Sequence, residues 1–302
     1  MKKPGIGDGF MLVDKDRGWT SHDVVAKVRS LVGGKVGHAG TLDPMATGLL
    51  ILGLGRSTRL LRYVQGFPKE YRATAQLGVA TDSLDADGAV LERSPLPVSA
   101  NELDAVLDRF RGTIMQTPPM VSARKVGGKR LYELARAGEV VEREARPVEV
   151  YSLEIADLTP SQYPEVTFDV VCSTGTYVRT LADDIARALG GRAHLTALRR
   201  VRNGTVSVGE ATRVDAVEAA VRDQATSNLV ADPADVLSSI SERVVDPAFE
   251  FRARNGAAIP LDALQGAEPI AESELVRVVA DGILLGIYRI DGPVAKPEVI
   301  TA

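Results

Sequence analysis

The sequence predicts an α+β protein: a mixed, largely antiparallel sheet with flanking helices, followed by a small β-rich C-terminal domain. Three observations predict it. Short apolar runs of strand character and segments of helical apolar spacing are interspersed along the chain, without the regular strand–helix–strand rhythm of a parallel sheet. Gly, Asp and Pro punctuate them at short intervals. A length of 302 residues leaves room for one large domain and one small one.

Phe10-Met11-Leu12-Val13 reads as a short strand. Thr20 or Ser21 caps a helix whose apolar positions Val24, Val25, Val28, Leu31 and Val32 recur at helical spacing, and Gly33-Gly34 stops it. Residues 37–48 form a Gly-punctuated loop. Leu49-Leu50-Ile51-Leu52 is too short for a helix and predicts a buried strand, while Leu60, Leu61 and Val64 suggest a short helix. Residues 71–79 alternate as a strand, and Asp85-Ala86-Asp87-Gly88 is a turn. Ser99 and Glu102 make a capping-box pattern ahead of Leu103, Val106, Leu107 and Phe110. The basic, Gly-containing stretch 122–146 reads as a loop with a short helix around 132–137.

Val166, Phe168 and Val170 alternate with polar residues in a strand ending near Cys172. Val178, Leu181, Ile185 and Leu189 mark a helix that Gly190-Gly191 stops, and strands cover 193–201 and 204–209. Polar, acidic residues 222–247, with Pro233 and Pro247, read as the linker region. Residues 275–290 read as a hairpin turning at Asp281-Gly282. The domain boundary is set at 230/231, giving domains 1–230 and 231–302.

The composition is that of an ordinary globular protein, 45% hydrophobic and 25% charged. No apolar run approaches the roughly 20 residues that span a bilayer, and no apolar segment follows the basic start, so a cytoplasmic protein is expected. The single cysteine, Cys172, excludes an internal disulfide and a multi-Cys zinc site, and the histidines are scattered, so no metal is expected. The net charge of −4 hides an asymmetry: residues 1–205 hold 28 basic and 24 acidic side chains, residues 206–302 hold 8 and 16. A basic-leaning N-terminal two-thirds is compatible with a nucleic-acid partner.

Ser83–Gly88 has part of an EF-hand pattern, but Ser94 stands where the bidentate Glu is needed. Gly53-Leu54-Gly55 lacks the third glycine of a dinucleotide fingerprint, and Gly127-Gly128-Lys129 lacks Walker spacing. The informative stretch is Gly37-His38-Ala39-Gly40-Thr41-Leu42-Asp43-Pro44-Met45-Ala46-Thr47-Gly48. Its glycines permit close backbone approach, and Pro44 holds Asp43 extended. Alone, an aspartate in such a loop is ordinary turn chemistry.

The full string resembles the catalytic motif of the bacterial TruB family, the tRNA pseudouridine-55 synthases. Asp14-Lys15 with Gly18 and Thr20-Ser21 resembles the family's N-terminal motif, and Lys69-Glu70-Tyr71, Leu77-Gly78, Thr81-Asp82 and Asp85–Gly88 resemble the next. Pro119, Ser122-Ala123, Lys125, Gly128, Tyr132, Ala135-Arg136 and the run Arg143 to Pro147 match a further block. Cys172 to Arg179 and Leu198-Arg199-Arg200 complete the set, in the family's order over about residues 9–205.

The resemblance implies a pseudouridine synthase fold and an isomerisation that needs no cofactor. The N1–C1′ bond of a uridine breaks, the base turns, and it rejoins through C5. It implies Asp43 as the catalytic carboxylate, nucleophile or base, with Arg179 pairing with it to keep it ionised. Tyr71 resembles the tyrosine that stacks on the base and helps remove the C5 proton. The base must be flipped out of the T loop, and His38 resembles the residue inserted in its place. Tyr177 and Leu198 resemble the pocket wall, and Lys15 either contacts phosphate or buttresses the loop. The partner is the T stem-loop of tRNA, held by the basic blocks 121–147 and 187–202. Residues 231–302 resemble a reduced PUA domain, with a minor RNA role through Arg252 or Arg254. A monomer is expected. Two alternatives are a tRNA-folding chaperone, disfavoured by the intact Asp43, Tyr71 and Arg179, and a guide-RNA-dependent synthase, which would want a robust PUA domain.

Overall fold

The computed structural model describes residues 6–120, 125–126, 129–130, 141–266, 269 and 271–301. The strands are β1 (Gly9–Lys15), β2 (Val36–Ala39), β3 (Thr47–Leu54), β4 (Lys69–Leu77), β5 (Val79–Thr81), β6 (Val90–Arg93), β7 (Gly112–Gln116), β8 (Lys125–Val126), β9 (Lys129–Arg130) and β10 (Arg146–Thr159). They continue with β11 (Glu165–Cys172), β12 (Ala193–Asn203), β13 (Val206–Ser207), β14 (Thr212–Arg213), β15 (Ser241–Val245), β16 (Ile259–Pro260), β17 (Leu264–Gln265), β18 (Leu275–Ala280), β19 (Ile283–Asp291) and β20 (Val294–Ile300). The helices are α1 (Ser21–Val32), α2 (Leu61–Gly66), α3 (Ala100–Leu107), α4 (Val178–Ala188), α5 (Val214–Arg222), α6 (Pro233–Val236) and α7 (Pro247–Arg254).

The main sheet runs β14-β1-β3-β12-β4-β11-β10-β7, with β2 added on β3 and β13 on β12. Its pairs are antiparallel except β1 with β14 and β12 with β3, so the mixed, largely antiparallel sheet is as expected. The apolar run in β3 is explained by burial on both faces. Leu50, Leu52 and Leu54 join the core beneath α1 and α4, while Leu49 and Ile51 join a second core on the opposite face. β1 divides the same way, Met11 and Val13 to the first core, Phe10 and Leu12 to the second. α1 starts at Thr20, whose side chain and Asp23 form a reciprocal capping box. The Ser99–Glu102 box opens α3 as expected.

The expected loop 37–48 is shorter: residues 36–39 pair with β3 as β2, and the loop proper is 40–46. The strand expected at 71–79 is β4, 69–77, and the one at 204–209 shrinks to Val206–Ser207 before a 3₁₀ turn. The helix expected around 132–137 lies outside the described residues. The expected linker 222–247 is structured instead. Leu229 is buried in the first core, and Val236, Leu237 and Ile240 are buried in the second against Phe10, Leu49 and Ile51. The polar residues that suggested a linker are its outer face. β15 joins the C-terminal sheet β16-β20-β19-β18-β15-β17, which has its own core around Val276, Leu285 and Tyr288. The hairpin at Asp281-Gly282 forms as expected, with both residues at positive φ.

The main sheet closes where β12 meets β3 in parallel through Arg199 opposite Thr47 and Arg200 opposite Gly48. Gly48 has φ +99°, and a Cβ there would stand 2.3 Å from the Arg200 carbonyl oxygen. Gly48→Ala is expected to lower stability by about 3 kcal/mol or more, read as a fall in denaturation midpoint; a change within error would refute this account of the crossing.

Candidate active site

The site lies where β12 is inserted between β3 and β4. The loop 40–46 leads into β3 and carries Asp43, and its neighbours hold it down. Ser21 Oγ accepts the Leu42 N–H at 2.9 Å and donates to the Leu42 carbonyl at 3.2 Å. The Pro44 carbonyl accepts the Gly18 N–H at 2.8 Å, and the Ala46 N–H donates to the Asp43 carbonyl at 3.1 Å. Leu42, Met45 and Ala46 are buried, which leaves the Asp43 side chain facing a cleft of about 260 Å³. Tyr71, Tyr177, Arg179, Leu198 and Arg200 also line that cleft.

Arg179, in the first turn of α4, is only 2% exposed. Its Nε lies 3.0 Å from Asp43 Oδ2, and its Nη1 lies 3.1 Å from Asp85 Oδ2 and 2.7 Å from the Ser83 carbonyl. One guanidinium therefore joins two carboxylates of different character. The Asp85 side chain is 7% exposed and accepts the Ser83 hydroxyl and the Asp87 N–H, whereas that of Asp43 is 35% exposed to the cleft. Burial pushes the Asp43 carboxyl above its ordinary range; Arg179 pulls it down and Asp85 pushes it up.

Lys15 is fully buried beneath the loop. Its Nζ donates to the carbonyls of Trp19 (2.7 Å), Asp16 (3.0 Å) and Pro44 (3.4 Å), so its donors brace the loop and none is left open to a phosphate. Burial lowers its pKa to about 8, against the pull of Asp43. Tyr177 is held by Gln116, whose Oε1 accepts its N–H at 2.7 Å and whose Nε2 donates to its carbonyl at 3.1 Å. Leu198 is 6% exposed on β12. Burial raises the Tyr71 hydroxyl, which Arg200 draws down. His38 sits on β2 opposite Leu52, outside the cleft lining, with its ring edge to face with His22 at 5.4 Å. Burial, His22 and Arg200 push its pKa down to about 4, so its imidazole is neutral at pH 7.

Arginines of the basic block 187–202 form ion pairs within the protein. Arg187 and Arg192 pair with Asp183, Arg199 with Asp14, and Arg202 with Glu70. Of the block 121–147, the side chains at 121–140 lie outside those described, and Arg143 donates to the Pro118 carbonyl. In the C-terminal region Arg254 pairs with Glu250, and Arg252 donates to the Ala258 carbonyl. Among the described residues no group of three or more His, Cys, Asp or Glu side chains is placed to hold a metal.

Sequence reasoning took Asp85 for a turn residue and gave Gln116 and Lys69 no role. Lys69 lines the cleft, and its Nζ donates to the Gln65 and Phe67 carbonyls. No local signal marks Asp85, because its partner lies 94 residues away. Asp85→Asn removes one of the two charges that orient Arg179. It is expected to lower kcat about 10- to 100-fold with little change in KM, measured on an RNA substrate; unchanged kcat would show that Asp43 alone fixes the guanidinium.

Comparison with known proteins identifies the family. Residues 27–178 match the model of the TruB family pseudouridylate synthase N-terminal domain, and residues 179–239 that of the tRNA pseudouridylate synthase B C-terminal domain. The division at 178/179 falls inside α4 and is not a structural boundary. The chain is 43% identical over 294 residues to the tRNA pseudouridine synthase B of Burkholderia mallei (strain NCTC 10247), covering 96% of each. It is 42% identical over 301 residues to that of Ralstonia pickettii (strain 12J), covering 96% of this chain and 93% of the relative. Among solved structures, a chain of a Cbf5-Nop10-Gar1 complex superposes with TM-score 0.76 at 24% identity, over 97% of this chain and 84% of that one. A chain of an H/ACA RNP bound to a substrate RNA containing 2′-deoxyuridine gives 0.75 at 22%, over 97% and 85%. These two likenesses concern the fold. With two family models spanning 27–239 and relatives above 40% identity along almost the whole length, this chain belongs to the TruB family of pseudouridylate synthases.

Proposed function

We propose that the protein isomerises uridine-55 in the T loop of tRNA to pseudouridine, on a base flipped into the cleft, with Asp43 as the catalytic carboxylate. The observation that carries this reading is the Asp43 carboxylate, 3.0 Å from a buried guanidinium and open on its other side to the cleft. An ionised carboxylate facing a single bound nucleoside is what cleavage of the N1–C1′ bond requires, as nucleophile or as base. Tyr71 stacks on the base and assists loss of the C5 proton, while N1 gains a proton, so the overall change is an isomerisation. Tyr177 and Leu198 form the wall. Lys15 supports the loop from below. His38, neutral beside the cleft, fills the gap the base leaves in the T loop; a neutral ring stacks without the cost of burying a charge.

The protein acts as a monomer in the cytoplasm, without metal or cofactor. Phosphate binding falls to exposed basic side chains, among them Arg187, Arg199 and Arg202, whose surface ion pairs are weak enough to yield to a phosphate. The reading is tested on an unmodified tRNA transcript with no metal or cofactor added. Wild type is expected to form pseudouridine at the T-loop uridine, and Asp43→Asn to be slower by about 10³-fold or more. Equal product from both would remove Asp43 from its role; product from neither would leave a tRNA-binding protein. The rate is also expected to depend on pH with a definite sign. Burial raises the Asp43 carboxyl above 3.8, so its ionised form is lost on acidification before that of an ordinary aspartate. The rate therefore falls through a pKa higher than 3.8, and a profile flat to below that value would contradict the assignment.

A further inference from the structure

Among the described residues Arg200 is one of the largest side chains that are almost fully buried, at 1% exposure. A guanidinium in that position is costly unless its donors are taken up. Its neighbours Arg199 and Arg202 pair with Asp14 and Glu70, but Arg200 pairs with no carboxylate among the described residues. Its Nε donates to the Leu49 carbonyl at 2.7 Å and its Nη2 to the Gly40 carbonyl at 3.1 Å. Leu49 lies in β3, and Gly40 is the first residue of the Asp43 loop.

Arg200 also stands beside Tyr71. Arg200 and Tyr71 are direct cross-strand partners on β12 and β4, so their side chains rise on the same face of the sheet, and both line the cleft. The Arg200 charge draws the pKa of the Tyr71 hydroxyl down, against the burial that raises it. Arginine has only donors, so toward Arg200 the phenolic oxygen can act only as an acceptor. The register shift just after Arg200, between it and Arg202, lets β12 present Leu198 and Arg200 to the cleft while Arg202 pairs with Glu70.

We propose that Arg200 is a positioning residue of this site: it holds the Tyr71 hydroxyl in one orientation and ties Tyr71 to Gly40, so that the tyrosine and the Asp43 loop keep a fixed spacing across the cleft. The proposal rests on the reading that Tyr71 works on the bound uridine.

A double-mutant cycle tests it, with single-turnover pseudouridine formation on an unmodified tRNA transcript for wild type, Arg200→Lys, Tyr71→Phe and the double variant. Lysine keeps a cation for the Leu49 carbonyl but loses the fork that reaches the tyrosine; Arg200→Met would strip two buried carbonyls of their donor. Arg200→Lys is expected to slow the wild type about 10- to 100-fold and the Tyr71→Phe protein by less than about 3-fold. The dissociation constant for tRNA is expected to change by less than about 2-fold. Equal losses in both backgrounds, or no loss in wild type, overturn the proposal alone. A Tyr71→Phe protein as fast as wild type overturns the reading of Tyr71 and the proposal with it. A second measurement needs no turnover: the fluorine resonance of Tyr71 in 3-fluorotyrosine-labelled protein, identified by its absence from Tyr71→Phe. Its titration is expected to move to higher pH in Arg200→Lys, and an unchanged titration midpoint overturns the proposal.

Discussion

The parallel contact between β3 and β12 is made through only two residue pairs, yet it joins the two halves of the main sheet. On one side stand β1 and β3, on the other β4, β11, β10 and β7. The contact works because Gly48 has no side chain to push the Arg200 backbone away. The same few residues then serve the cleft. The loop carrying Asp43 ends as β3 begins, Leu198 and Arg200 leave β12 at the crossing, and Tyr71 stands opposite Arg200 on the next strand. The contact that joins the sheet also assembles the cleft, whose lining groups converge there from segments far apart in sequence.

Within that frame the electrostatics are unequal by construction. Arg179 contributes one positive charge between two carboxylates, leaving the trio at −1 when both acids are ionised. Asp85 is enclosed and satisfied by a hydroxyl and an amide, so it acts as a fixed counter-charge. Asp43 keeps an open side and can meet a substrate. The cations nearby are spent otherwise: Lys15 and Lys69 each turn their ammonium groups to backbone carbonyls, and both are pushed down to about 8 by burial. Such groups shape the field at Asp43 and support the backbone without capping the carboxylate.

How much was legible in the sequence depended on the range of the interaction. Thr20 with Asp23 and Ser99 with Glu102 are caps written within four residues, and both helices start where the sequence says. Leu49 to Leu52 betrayed a strand buried on both faces because its apolar run is local. The pairing of Asp43 with Arg179 came from motif resemblance, not from spacing, since 136 residues separate them. That Arg199 and Arg202 carry ion pairs to Asp14 and Glu70 was not legible, because those partners are distant in sequence. β10 was missed for another reason. Its apolar alternation, Val148 and Val150, then Leu153 and Ile155, then Leu158, is broken twice by register shifts, at Val150/Ser152 and Ile155/Asp157, so no regular two-residue period marks its 14 residues. Residues 222–247 show the limit of composition as a guide, since a few apolar side chains at Leu229, Val236, Leu237 and Ile240 are enough to seat an acidic, proline-containing stretch on a sheet.

That seating has a consequence for how the chain is made. Phe10, Leu49 and Ile51 leave the ribosome long before Val236, Leu237, Ile240, Val279, Leu284 and Ile287, which complete a packing begun by Leu60, Tyr63, Val64 and Phe67. Part of the apolar face of β1 and β3 must therefore wait for its cover until those later residues are made. The C-terminal sheet completes the cover of β1 and β3, so a chain cut short before that sheet is made keeps part of this face exposed.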